Sequence, residues 1–366
     1  MDLIPHFSFR ILKTKRADHP KKTTWKSVAR WALLLLLVKS LAIVWPQGIE
    51  RFYTHGLYPY WHAFLRTIVG WIPFSMGDVL YVMVIFWIIR VMLRHRTDPI
   101  TLAGLVKKSL FVYLVFLGSW GLQYNRLPLL DLPEKDKKDS YQALCQLTQK
   151  LVRQTNALHV QLQADSTKRV PCLLTSTAMR QQAVLAASLW PKKWTTLADS
   201  QQLMLKPSLF RSGLSYMGFS GYLNPFTLES QVNEAQPKVL QPFVGCHELA
   251  HQQGVAAEGM CNYLGYWATQ KSTDLFVKYS GNVVALRYCL SAINKTHPKQ
   301  AKVYKAAFCK GLQIEMKAIT QYWKSHESWL QEGFLAFYDT FLKWNQQEKG
   351  LNEYGEFVRL LLQEPI

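Results

Sequence analysis

Hydrophobic and polar positions divide the chain into an apolar first third and an amphipathic remainder. Three apolar runs stand out: "VARWALLLLLVKSLAIVW" (Val28–Trp45), "FSMGDVLYVMVIFWIIRVML" (Phe74–Leu93) and "SLFVYLVFLGSWGL" (Ser109–Leu122), the last with a start that could reach back to Leu102. A helix needs about 20 apolar residues to cross a bilayer, so each run is read as a spanning helix. The third is the weakest, because Lys107 and Lys108 intrude. Lys39 interrupts the first run and either snorkels or faces a neighbouring helix. Trp31 and Trp45 lie near its ends, where an aromatic belt sits. A signal peptide would be shorter, would begin earlier and would end at small residues. Between the first two runs, "GLYPYWHAFLRTIVGWIP" is amphipathic and rich in aromatics. Such a segment lies in the interface plane and does not span.

Beyond Tyr124 the pattern changes. "NRLPLLDLPEKDKKDS", from Asn125, reads as a linker over 124–139, because it is rich in Pro and charge. Ser140 then offers an N-cap for a helix to Gln163. Further helices are predicted over 175–189 and 195–205. "LFRSGLSYMGFSGYLNPFTLESQVN" has the Gly, Ser and aromatic texture of short strands and turns. Helical periodicity returns over 242–253, 258–271, 273–294, 298–324, 326–346 and 350–363. The predicted fold is a membrane protein: three N-terminal transmembrane helices over 28–123, after a basic stretch 1–27, then a mainly α (α+β) domain over 140–366 with one small β-sheet.

Composition and charge refine this. A hydrophobic fraction of 49% and 13 Trp exclude extensive disorder. The net charge of +19 would suit nucleic acid, but its placement argues against that. Eight Lys and Arg lie in residues 1–30 and five in 90–108, against Arg51 and Arg66 alone in 46–73. By the positive-inside rule the N-terminus and the second connection face the cytoplasm, and everything after the third span lies outside. All six cysteines fall in that outer part. An even count there permits disulfides, but the spacing fits no known framework, and small buried thiols are the simpler reading for most.

The candidate chemistry lies in "GCHELAHQQGVAAEGMCNYLGY", residues 245–266. On a helix, positions i and i+4 share a face, so His247 and His251 can point at one cation, and neutral imidazole suits Zn2+. Glu248 would project beside the metal as a general base. Pro242 fits the first helical turn, and Gly254 can end the helix in a left-handed turn that lets the chain fold back. A third histidine three residues beyond Gly254 is excluded by Ala257. Glu258 is the next candidate ligand, with Asn262 one turn further on as the partner that orients a ligand histidine. The competing reading of Glu258 is an acid placed favourably at a helix N-terminus. Tyr338, in "FYDT", could donate to an oxyanion or simply pack in a core. The "FSGYLNPFT" segment could be an edge strand that pairs with an extended peptide, or a plain hairpin.

Several ordered stretches also carry a family resemblance: "IPFSMGDVLY", "WGLQYNRLPL", "YLNPFT", "HELAHQQG" and "FYDTFLKWNQQEKGLNEYG". The chain resembles the bacterial membrane family of domain of unknown function 3810, whose members look like membrane-anchored zinc peptidases of the gluzincin type. The resemblance implies a zincin-like fold, zinc on His247 and His251, and Glu248 as base. After the glycine the family usually reads Glu-Asp-Glu-Ala-Asn, and here the stretch is Glu258-Gly-Met260-Cys-Asn262. The first Glu is taken as ligand from its spacing to Asn262. Were the middle acid the ligand, Met260 would mark its loss. The expectation is therefore a membrane-anchored zinc metallopeptidase in a bacterial cytoplasmic membrane, acting on peptides or proteins outside it. The alternative is an inactive scaffold or binding protein of the same fold.

Overall fold

The computed structural model describes residues 25–94, 102–130, 137–197, 200–345 and 354–363. Most of the basic N-terminal stretch, the second connection, the middle of the expected linker and part of the last family stretch lie outside the described residues. Among the described residues the chain is mainly helical, with three helices long and apolar enough to cross a membrane: Trp25–Val44, Met76–Leu93 and Leu102–Ser119. These are α1 (Trp25–Val44), α4 (Met76–Arg94) and α5 (Leu102–Ser119).

Between α1 and α4 no helix is long and apolar enough to cross a membrane. A short turn α2 (Pro46–Gly48) leads through a π-helical stretch (Ile49–Leu57) into α3 (Tyr58–Val69). One face of this segment is docked, with Tyr58 and His62 fully buried, while Tyr60, Phe64 and Ile68 on the other face are exposed. This is the amphipathic division that the sequence shows, with one stripe of the helix covered by protein.

The remaining helices follow the three apolar ones and, with the sheet, form the rest of the fold. α6 (Lys137–Leu162) and α7 (Ser176–Ala187) come first, with α6 beginning three residues before Ser140. Among the described residues the helix expected over 195–205 does not form. A 3-10 turn (Ser200–Gln202) and strand β1 (Leu205–Pro207) stand there. The cause is local. The Gln252 side chain brackets Met204, accepting from its N–H at 2.8 Å and donating to its carbonyl at 3.0 Å. That fixes an extended backbone. The next stretch, expected as strands, begins instead with a helix α8 (Arg211–Met217), which ends at a left-handed Gly218. Strands β2 (Gly221–Leu223) and β3 (Ser230–Val232) follow, and the sheet order is β1-β3-β2. β3 is central and buried, parallel to β1 and antiparallel to β2, so β2 is an edge.

α9 (Gln241–Gln252), α10 (Glu258–Lys271) and α11 (Leu275–Thr296) build the core behind the sheet. The helix expected over 298–324 is two helices, α12 (Pro298–Ala306) and α13 (Lys310–Ser325). The break is held by Asn156, which accepts from the Cys309 N–H at 3.0 Å and donates to the Ala307 carbonyl at 2.8 Å. α14 (Trp329–Trp344) and α15 (Tyr354–Gln363) close the chain. All six cysteines are free thiols, and Cys246, Cys261 and Cys289 are buried.

A buried polar cluster locks the start of α4 to the sheet. The Glu229 carboxylate accepts from the backbone N–H groups of Met76 and Gly77, from Thr227 Oγ1 and from Lys206 Nζ. An anion at a helix N-terminus is favourable, because it meets unpaired N–H groups and the positive end of the dipole. Asp78 in turn accepts from Ser208 Oγ, the Leu209 N–H and the Tyr222 hydroxyl. The second apolar helix thereby has a fixed position relative to the sheet edge.

Replacing Lys206 by Met would leave the Glu229 carboxylate buried without its cation. The expected loss is about 3–5 kcal/mol. It would be read as a lowered apparent melting temperature of the full-length chain in detergent, and an unchanged melting temperature would contradict the role given to the pair.

Candidate metal centre

α9 has the residues of a buried helix: Pro242 in its first turn, then Phe243, Val244, Leu249 and Ala250 packed inside. Its C-terminal carbonyls need partners, since the last four of any helix have none within it. Here they are served by segments that adjoin the apolar helices. Trp120 Nε1 donates to the His251 carbonyl at 3.1 Å, and the Tyr58 hydroxyl to that of Gln252 at 2.7 Å. Arg126 donates to the carbonyls of Gln253 and Gly254 at 3.2 and 3.3 Å. Gln253 Oε1 accepts from the N–H groups of Thr196 and Leu197. The two glutamines of "HELAHQQG" are thus brackets for neighbouring loops.

Gly254 then adopts φ +78, in the left-handed region, and a Cβ there would meet the Gln123 side chain at 2.7 Å. A side chain there would strain the backbone and displace Gln123, so the position favours glycine. The turn sends α10 back along α9 and carries Glu258 to the two histidines. His247 Nε2 lies 3.2 Å from Glu258 Oε2, and His251 Nε2 lies 3.7 Å from Glu258 Oε1. One ligand atom from each of the three residues lies within 4.8 Å of the other two. For a tetrahedral ion with bonds near 2.0–2.1 Å, ligand atoms sit roughly 3.3 Å apart, so the three donors fit zinc with small adjustments.

Both imidazoles are held with Nε2 toward Glu258. His247 Nδ1 pairs with Asn262 Oδ1 at 3.0 Å, and His251 Nδ1 with the Val255 carbonyl at 2.8 Å. Each partner is an acceptor, so each Nδ1 donates to it and each Nε2 is left turned toward Glu258. Burial pushes the Glu258 carboxyl up, but the two imidazoles override it and hold the group well below the usual carboxylate range. Burial pushes the His251 imidazole down, but Cys261 and Glu258 override it and raise it well above its usual range. A carboxylate and two imidazoles, deprotonated where they face the ion, are a donor set that zinc takes.

Glu248 lies at the same opening. Its side chain is buried, and its Oε2 has no hydrogen-bond partner among the described residues. Burial pushes its carboxyl up to about 7, with His247 and His251 opposing. A carboxyl poised there can both take and return a proton near neutrality. Edge strand β2 passes directly above it. A Cβ on Gly221 would lie 2.8 Å from Glu248 Oε1. Sequence reasoning missed Gly221, and a Gly opening a short strand beside the motif was the available signal. Tyr58, Trp120 and Arg126 were also missed. Nothing in their local sequence indicates that they cap a helix well over a hundred residues away.

The sequence-predicted residues come together at one place. His247, Glu248, His251, Glu258, Asn262 and Tyr338 all line a cavity of about 880 Å³. The Tyr338 hydroxyl donates to Glu258 Oε1 at 2.8 Å, so in this geometry it steadies the carboxylate. Met260 is buried in the core cluster. It sits two residues from both Glu258 and Asn262, on the opposite side of the α10 turn, where an acid would point away from the histidines.

The family described as Protein of unknown function (DUF3810) matches residues 53–362. The chain belongs to this family. No curated protein and no solved structure matches the chain.

Asn262→Ala would free the His247 ring to rotate and to change tautomer. Apparent zinc affinity of the full-length chain should fall about 10–100-fold, measured by competition with a chromophoric chelator. Unchanged affinity would show that Asn262 is only a packing residue.

Proposed function

We propose that this member of the family is a membrane-anchored zinc metallopeptidase with a gluzincin-like His247–His251–Glu258 centre in a zincin-like domain. The observation that carries the reading is the pairing of that three-donor group with a buried carboxylate, Glu248, that follows His247 on α9 and whose Oε2 has no hydrogen-bond partner among the described residues. Zinc in such a site supplies a Lewis acid that polarises a carbonyl and lowers the pKa of water to about 7. Glu248 takes a proton from the attacking water, whose oxygen adds to the scissile carbonyl carbon. It returns that proton to the departing nitrogen as the C–N bond breaks. Tyr338 reaches the site from α14 and is placed to shift from Glu258 to a developing oxyanion.

The edge strand supports a peptide as substrate. Among the described residues β2 pairs with β3 alone, and Ser220, Gly221, Tyr222 and Leu223 line the same cavity as Glu248. An extended backbone can add there as a further strand, which brings one peptide bond to Glu248. The ends of the three apolar helices support an outward-facing domain. The end of α1, the start of α4 and the end of α5 all lie on the domain side, so an N-terminus in the cytoplasm puts the site outside it. The alternative is an inactive scaffold or binding protein of the same fold, and what favours the enzyme over it is Glu248 beside the three donors, with Met260 packed in the core.

Glu248→Gln in the full-length chain should abolish hydrolysis of a quenched-fluorescence peptide library while zinc content stays at the wild-type level. Hydrolysis that survives this change would refute the reading. Gly221→Ala should lower turnover about 100-fold through displacement of Glu248, again with zinc retained. Wild-type turnover in that variant would show that the close approach of β2 is incidental.

A further inference from the structure

The cavity does not end at the metal group. It runs on between α4 and α14, where Val84 and Ile85 of α4 and Phe337 and Phe341 of α14 line it. Val84 and Ile85 are also about half exposed, so this arm is open to the outside of the protein between the two helices. Val84 lies eight residues into α4, about 12 Å below its start and near the middle of an apolar helix long enough to cross a membrane. The opening is therefore at the level of the bilayer.

α14 supports the same level independently. Its first turn is tied to α8 through Ser328 Oγ and the Tyr216 carbonyl, and its middle carries Tyr338 over Glu258. Its last residue, Trp344, stacks on Tyr113 of α5 at 5.2 Å, and Lys39 Nζ of α1 donates to the Trp344 carbonyl at 3.1 Å. Tyr113 lies six residues before the end of α5, about 9 Å inside that helix. α14 thus descends alongside the apolar helices, with Phe337 and Trp344 turned outward and more than 60% exposed.

The chemistry of this arm selects its occupant. A polypeptide unwound for cleavage would carry bare N–H and C=O groups into it, and at hydrocarbon depth each such group without a partner is costly. Val84, Ile85, Phe337 and Phe341 offer no donor or acceptor. A saturated hydrocarbon chain needs none. We propose that the substrate is a peptide bearing a covalently attached acyl chain: the chain slides in from the bilayer between α4 and α14 while the peptide part lies along β2. This rests on the peptidase reading of the metal centre and names its substrate class.

The test is photo-crosslinking in nanodiscs, which does not depend on hydrolysis. The probe is a short peptide, N-palmitoylated, with a diazirine at the tip of the chain, used on the full-length wild type and on Glu248→Gln. Label is expected on the α4 and α14 segments that hold Val84, Ile85, Phe337 and Phe341. It should be competed by excess palmitoyl peptide and not by the acetylated peptide. Val84→Trp should reduce it at least about tenfold by filling the arm. If that variant misfolds, a butyryl probe, too short to reach, should fail to label the same segments in the wild type. Label spread over the outward faces of α1 and α4, or a diazirine phospholipid that labels the arm and resists palmitoyl peptide, would overturn the proposal. Equal competition by an unacylated peptide with an apolar extension would overturn it in favour of a polypeptide occupant. Localised, competed label without hydrolysis of any peptide would uphold the acyl site and sink the peptidase reading alone.

Discussion

The site depends on one backbone event, the left-handed turn at Gly254. Without it α10 could not return along α9, and Glu258 would not meet His247 and His251. The turn is not left to glycine alone. Trp120, Tyr58 and Arg126 saturate the carbonyls that lead into it, and Gln123 fills the space where a Cβ would stand. Each of these donors is in or beside the membrane-proximal segments. The geometry of the metal group is therefore set by the part of the chain that a reading of domains from sequence would assign to the membrane.

The same coupling appears at the edge strand. β2 lies above Glu248, and Tyr222 of β2 donates to Asp78 at the head of α4. Glu229 next to β3 holds the N-terminus of that helix. A displacement of α4 in the bilayer would be felt at the edge strand. Conversely, the polar cluster of Lys206, Glu229 and Asp78 is costly to bury and is satisfied only when helix and sheet are docked. That makes the docked arrangement the specific one.

Much of this was legible in the sequence, and the parts that were not share a cause. The apolar helices, the histidine helix, its glycine end and the i, i+4 pair Glu258 and Asn262 follow from short-range periodicity, which a single sequence carries well. The third apolar helix takes the earlier of the two starts read for it, Leu102, and Lys107 and Lys108 lie within α5 and do not bound it. The helix expected before β1 failed because Gln252, nearly fifty residues on, captures Met204. The long helix near 307 was broken by Asn156 from α6. The caps of α9 were invisible for the same reason: their partners are distant in sequence, and local propensity yields to such tertiary bonds. Met260 shows the reverse. Sequence comparison made it suspect, and its place on the α10 helix turns it into a core residue.

The most direct test of the whole account is zinc content per chain, by mass spectrometry on the full-length protein in detergent, for wild type and Glu258→Ala side by side. The full chain is needed because residues of the membrane-proximal segments hold α9. The account expects close to one zinc per wild-type chain and a large loss in the variant. Zinc retained in both would place the third ligand elsewhere, and none in the wild type after reconstitution would contradict the metal centre itself.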